Sequence, residues 1–175
     1  FAQAPSNPAF SGDTSLCRYE SSLITALGEP GATFNWYNVS NGGTSFLTGP
    51  TYSFSSSTAG TFTYYLEQIV GGFSSFRPEV NIYVHPNPIL TNIAGGGAIC
   101  ESASTTLSTS GAANYLWSTG ATTDSILVAP TSNTSYSVVG TSIYGCTSSK
   151  STSISINTIT NVANKTICAG ESTTL

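Results

Sequence analysis

The sequence predicts an all-β chain built as tandem β-sandwich modules, and three observations carry that prediction. Short segments alternate apolar and polar residues, as in Phe62, Tyr64, Leu66, Gln68 and Val70 against Thr63, Tyr65, Glu67 and Ile69. That is the period of an extended strand with two faces. Turn-forming pairs such as Gly42-Gly43, Gly49-Pro50 and Gly71-Gly72 separate the segments, and no window sustains a 3.6-residue repeat or carries a helix cap. Finally, the chain repeats itself.

The repeat is read at three places: Leu16-Cys17-Arg18-Tyr19-Glu20-Ser21-Ser22-Leu23, Ile99-Cys100 through Thr105-Thr106-Leu107, and Ile167-Cys168-Ala169-Gly170-Glu171-Ser172 through Leu175. Each is an apolar residue, a cysteine, a short polar turn and a Ser/Thr-Leu strand start. The cysteine intervals are 100 − 17 = 83 and 168 − 100 = 68, so the first module carries an insertion of 83 − 68 = 15 residues. Three modules follow: 1–86 with an N-terminal linker, 87–157, and a truncated third at 158–175. The start at Phe1 and the stop at Leu175 read as an excerpt of a longer polypeptide.

In the first module strands are expected at 22–27, 32–37, 51–55, 60–70 and 79–84. The 60–70 strand is apolar on both faces and belongs in the middle of a sheet. His85-Pro86-Asn87-Pro88 reads as a short hinge, because two prolines withhold two amide donors. The second module repeats the plan at 105–110, 113–119, 124–129, 135–141 and 151–157, with Trp117 in the core. Residues 158–166 read as the first strand of the third. Short strands at this spacing indicate a sandwich.

Only 7 % of the 175 residues are charged, against about 25 % in ordinary globular proteins. The four cations, Arg18, Arg77, Lys150 and Lys165, are scattered in a chain of net charge −4. No basic patch can form from them, which excludes nucleic acid as a partner. No apolar run reaches the roughly 18 to 20 residues of a membrane span, so no membrane insertion is expected.

Disulfides suit small modules in an oxidising compartment. Cys100 and Cys146 bracket one repeat, and closing that loop stabilises by roughly 4 kcal/mol in the chain-entropy model. They are expected to pair as a staple at one end of the sandwich. Cys17 is expected to lack a partner, since Phe73 aligns with Cys146, and Cys168 to pair beyond residue 175. Zinc is disfavoured by the lack of CxxC pairs and by the single histidine.

At these residues the chain resembles the immunoglobulin-like repeats of large secreted and cell-surface proteins of Bacteroidota, which are exported by the type IX system. The resemblance lies in Cys168-Ala169-Gly170-Glu171-Ser172, in Tyr115-Leu116-Trp117-Ser118-Thr119-Gly120 with Ala121-Thr122-Thr123, in Ser135-Tyr136-Ser137-Val138 and in Gly145-Cys146. The first module resembles a sister type through Trp36-Tyr37, Gly42-Gly43-Thr44 and Gly49-Pro50-Thr51-Tyr52. It departs at Phe73, where the family has Cys. The resemblance implies tandem immunoglobulin-like sandwiches, and an extracellular, cell-surface place in an adhesive filament of the kind used in gliding. It also implies that Asp124-Ser125-Ile126 is an O-glycosylation signal with Ser125 as acceptor.

No catalytic constellation stands out in the sequence. His85 lies in the hinge, no nucleophile elbow or phosphate-binding glycine loop occurs, and the eight carboxylates are dispersed. No catalytic residue, metal site or cofactor is expected. Tyr19, Tyr37, Tyr52, Tyr64, Tyr65, Tyr83 and Trp36 should mostly fill the core. A few of them exposed together would form a platform for sugar rings. The sequence therefore reads as a structural and adhesive repeat segment, with neighbouring modules, surface glycans and the secretion or gliding machinery as partners. The alternative is a glycan-binding or spacer module of a secreted multidomain enzyme.

Overall fold

The computed structural model describes residues 3–157 and the backbone of two strands, Ile159–Val162 and Lys165–Cys168. The chain forms two compact units, Phe1–Pro86 and Asn87–Leu175.

The first unit contains β1 (Ala9–Ser11), β2 (Ser15–Cys17), β3 (Ser21–Leu27), β4 (Thr33–Tyr37), β5 (Leu47–Thr48), β6 (Thr51–Ser55), β7 (Gly60–Val70), β8 (Phe73–Ser74) and β9 (Glu79–His85). One sheet has the order β1-β3-β6, the other β2-β9-β7-β4-β5, with β8 paired to β7. Central β7 buries residues of both parities, Leu66, Glu67 and Gln68. Ile24, Phe34, Trp36, Phe54, Leu66, Val80 and Ile82 fill the space between the sheets. The tyrosines join them: Tyr52 meets Tyr64 edge-on at 5.0 Å and Trp36 at 5.6 Å.

The second unit contains β10 (Gly97–Cys100), β11 (Thr105–Ser108), β12 (Asn114–Trp117), β13 (Ser125–Val128), β14 (Thr134–Thr141), β15 (Thr147–Asn157), β16 (Ile159–Val162) and β17 (Lys165–Cys168). Its main sheet has the order β10-β15-β14-β12, and β11 pairs with β13. Leu90, Leu107, Trp117, Ile126, Val138 and Ile154 make the core. In both units a short strand runs parallel to the last strand of the sandwich, β2 on β9 and β10 on β15. The fold is an immunoglobulin-like β-sandwich.

A shared device fixes each core. Trp36 and Trp117 are buried, and each indole N–H donates to a loop carbonyl, Gly49 O at 3.0 Å and Thr123 O at 2.8 Å. A buried indole needs such an acceptor. The acceptor lies thirteen residues on in the first unit and six in the second. Part of the expected insertion is thus the loop 38–46 with β5, which pairs with β4.

Several expectations need correction. Short β1, β2, β5, β8 and β10 were not foreseen, and β15 starts at Thr147 rather than 151. Residues 158–166 were expected to be one strand, whereas β16 and β17 form an antiparallel pair. Leu23 and Leu107 were aligned, yet Leu23 is exposed and Leu107 buried. The two turns are equally long, Cys17 to Glu20 and Cys100 to Ala103, so matching Leu23 to Leu107 is one residue out of step, and a one-residue shift moves a side chain to the other face of a strand. Ile24, seven residues after Cys17 as Leu107 is after Cys100, occupies the matching core position.

The pairing of Cys100 with Cys146 is incompatible with the register. Cys100 lies opposite Asn157, whereas Cys146 adjoins Thr147 at the other end of β15. At about 3.3 Å per residue that strand holds them roughly 35 Å apart, and a disulfide needs Cα atoms within about 7 Å. Cys17, Cys100 and Cys146 are nonetheless all disulfide-bonded. The expectation that Cys17 lacks a partner is therefore overturned. The side chain of Cys168 lies outside the described residues.

Candidate binding surface

The most constructed surface of the first unit grows from a fault in the β7 ladder. On one side Ile69 pairs with Ser74, and on the other Tyr65 pairs with Glu79. Between those pairs β7 has three residues, 66–68, and the facing chain has four, 75–78. Ser75 N–H donates to Gln68 O, and Leu66 N–H donates to Pro78 O. The extra residue therefore lies across from Glu67, which faces both Phe76 and Arg77. This is a β-bulge, a device that re-aims side chains out of a regular ladder.

Its two residues are treated differently. Phe76 is 82 % exposed. Arg77 turns back onto the sheet: its guanidinium carbon lies 3.2 Å from the centre of the Tyr37 ring, Nε reaches Glu67 Oε1 at 3.3 Å, and Nη1 donates to Gly42 O at 2.7 Å. Tyr37 completes the group by donating its hydroxyl to Glu67 Oε2 at 2.8 Å. Burial first, and then this carboxylate, push the Tyr37 phenol above its ordinary pKa. A buried carboxylate with a cation and a hydroxyl as partners is fully engaged.

Ser40, Asn41, Glu67, Ser75, Phe76 and Arg77 line an open cavity of about 250 Å³. On the other side of Phe76 a larger, shallower cavity of about 620 Å³ is bordered by Gln3 to Ser6 and Glu29. Ser6 holds that wall: its N–H and its hydroxyl both donate to Glu29 Oε1 at 2.8 Å. These bonds keep the Glu29 carboxyl below its usual range. Buried Gln68 adds a second tie by donating from Nε2 to Ser6 O while its Oε1 accepts Glu29 N–H. The segment 1–9 was expected as a linker; of its described residues, Ser6 is fastened and Ala9 is paired in β1.

The remaining sequence candidates lie apart from this surface. Ser125 is exposed at the start of β13, with its hydroxyl on Asp124 Oδ1 at 3.2 Å. His85 is no free hinge residue: it ends β9, faces Cys17 in register, and its Nε2 is hydrogen-bonded to Ser15 Oγ at 3.0 Å. Of the expected aromatic platform, Tyr37, Tyr52 and Tyr64 are occupied in packing. Phe76 went unsuggested because its exposure follows from the bulge, which needs two ladders to be in register around it. Among the described residues no three His, Cys, Asp or Glu side chains group as a metal site.

The comparisons agree with this architecture. Residues 5–86 match the family model described as Ig-like domain CHU_C associated. This supports an immunoglobulin-like domain of the Bacteroidota type. No match was found among the curated proteins. Among solved structures the chain is similar to an ICAM-5 D1–D4 ectodomain fragment, at 16 % identity and a TM-score of 0.51 over 87 % of this chain and 47 % of that one. It also matches the titin I-band fragment I67-I69 at 14 % identity and a TM-score of 0.44, over 90 % and 68 % of the two chains. The likeness to ICAM-5 concerns the fold, and the chain spans less than half of that fragment. Immunoglobulin-like domains generally serve as structural or binding modules. The disulfide-bonded cysteines are consistent with an extracellular protein, and among the described residues no helix is long and apolar enough to cross a membrane.

Proposed function

We propose that this chain is a structural and adhesive repeat segment of a large secreted cell-surface protein, in a filament of the kind that gliding bacteria move over their surface. One observation supports the reading above the others. Two successive units repeat the same sandwich, each with a buried strand tryptophan bonded to a loop carbonyl and a short strand parallel to the last. Serial repetition of a small sandwich module suits a part that must span distance outside the cell. Its partners in this reading are neighbouring repeats, surface glycans and the type IX export or gliding machinery, and exposed Ser125 is the candidate O-glycan acceptor.

The test is peptide mapping of the intact parent protein from native material. Many further Cys-x-Gly-Glu-Ser repeats with no catalytic domain support the filament, and deletion of the parent should then impair surface attachment or gliding. A catalytic domain after a few repeats would overturn it. An unmodified mass for the peptide carrying Ser125 would remove the glycosylation proposal.

A further inference from the structure

We infer that the bulged end of the first unit is a binding site for neutral sugars, with Phe76 as the stacking platform and Ser40, Asn41 and Arg77 as the polar contacts. The inference rests on the adhesive reading only for its biological purpose, since the site itself is argued from this unit alone.

The placement of Phe76 comes first. Phe76 is 82 % exposed, and the extra residue of the bulge places it outside the regular ladder. Both cavities border it, so the ring stands between two depressions rather than on a convex surface. A sugar presents one face of partly positive C–H groups, which suits the negative face of an aromatic ring. Its rim of hydroxyls then needs donors and acceptors beside the ring.

The neighbouring groups meet that need without flexibility. Arg77 is pinned between the Tyr37 ring, Glu67 and Gly42 O, so little rotamer freedom remains to be lost on binding. Asn41 Oδ1 accepts the Gly42 N–H at 2.8 Å, which orients its amide N–H₂ as a donor. The serine hydroxyl of Ser40 both donates and accepts. A volume of about 250 Å³ falls below that of a drug-sized pocket and matches one or two sugar rings in an open cleft.

Charge decides the class of sugar. Glu67 is buried and neutralises Arg77 within the site, so an acidic sugar would find no net cation, while a neutral hexose keeps every hydroxyl paired. Glu29 borders the second cavity and repels anions further.

The test is titration of the 175-residue chain with neutral gluco-, galacto- and manno-oligosaccharides, followed by amide chemical shifts and calorimetry. The expected result is shift changes confined to 40–42, 75–77 and the 3–6 segment, with binding weakened roughly tenfold by Phe76→Ala and several-fold by Asn41→Ala. Phe73→Ala, outside both cavities, should bind as the parent does. Because Phe76 is exposed, its variant should keep the parent melting temperature. No binding to any neutral sugar, binding unchanged by Phe76→Ala, or a preference for acidic sugars would each overturn the assignment. Neither result depends on the parent protein's domain map, so this site and the filament stand or fall separately.

Discussion

Tyr19 and Ser102 occupy the same place in the two units and carry the same backbone cost. Each is the third residue of a turn closed from the fourth residue's N–H to a cysteine carbonyl, Glu20 to Cys17 and Ala103 to Cys100. Their φ values are 71° and 67°, the left-handed region that a type II turn requires at that position. A side chain there costs roughly 1–2 kcal/mol, and the third copy of the repeat has Gly170 at the equivalent place. Ser102→Gly is therefore expected to stabilise the second unit by about 1 kcal/mol, after the flexibility gained by the unfolded chain is deducted. Denaturant unfolding reads it, and an unchanged midpoint would contradict it. Glu29 supplies a pH dependence at the same scale. Its folded pKa lies below the unfolded one, so the Ser6 tie is fully present above the unfolded value of about 4.3 and lost as pH falls through the folded value. The Ser6 amide resonance should move toward its free position only below about pH 4, and Glu29→Gln should abolish that transition.

The β7 strand shows how an element's register carries more than its composition. Gln68 sits in a wholly buried position and is satisfied there by Ser6 and Glu29. Gln68→Leu keeps the bulk and strands the Glu29 N–H, which should cost about 2 kcal/mol. For a module of this size that corresponds to a melting point lower by roughly 10 °C. Across the two sheets Tyr52 is half-buried and bonded to Tyr64, and its phenol is pushed far above the ordinary range. Tyr37 is raised for its own reasons. A raised pKa contributes stability below the unfolded value of about 10, and that contribution is lost as pH climbs through the folded value. Spectrophotometric titration of the nine tyrosines should show Tyr37 and Tyr52 ionising last, and Tyr52→Phe should remove one late proton.

For the whole molecule the cysteines give the sharpest prediction. A non-reducing peptide map should recover Cys17 and Cys146 in disulfide-linked peptides and no peptide joining Cys100 to Cys146. Recovery of that last peptide would mean that β10 does not run along β15 in solution. Reduction should lower the thermal stability of the chain by removing constraints on its unfolded state.

The sequence by itself determined the fold class, the repeat, the central place of β7 and the core place of Trp117. These follow from period-two patterning and turn residues, which act over a few positions. It also located the surplus length of the first unit. Only the tertiary structure decided which cysteines lie within reach of one another, because a disulfide depends on distances set by β10 and β15 running parallel over four residues. It alone moved His85 from a hinge into a ladder and exposed Phe76. A four-residue strand carries too little pattern to be read alone, and a bulge exists only relative to the strand it faces.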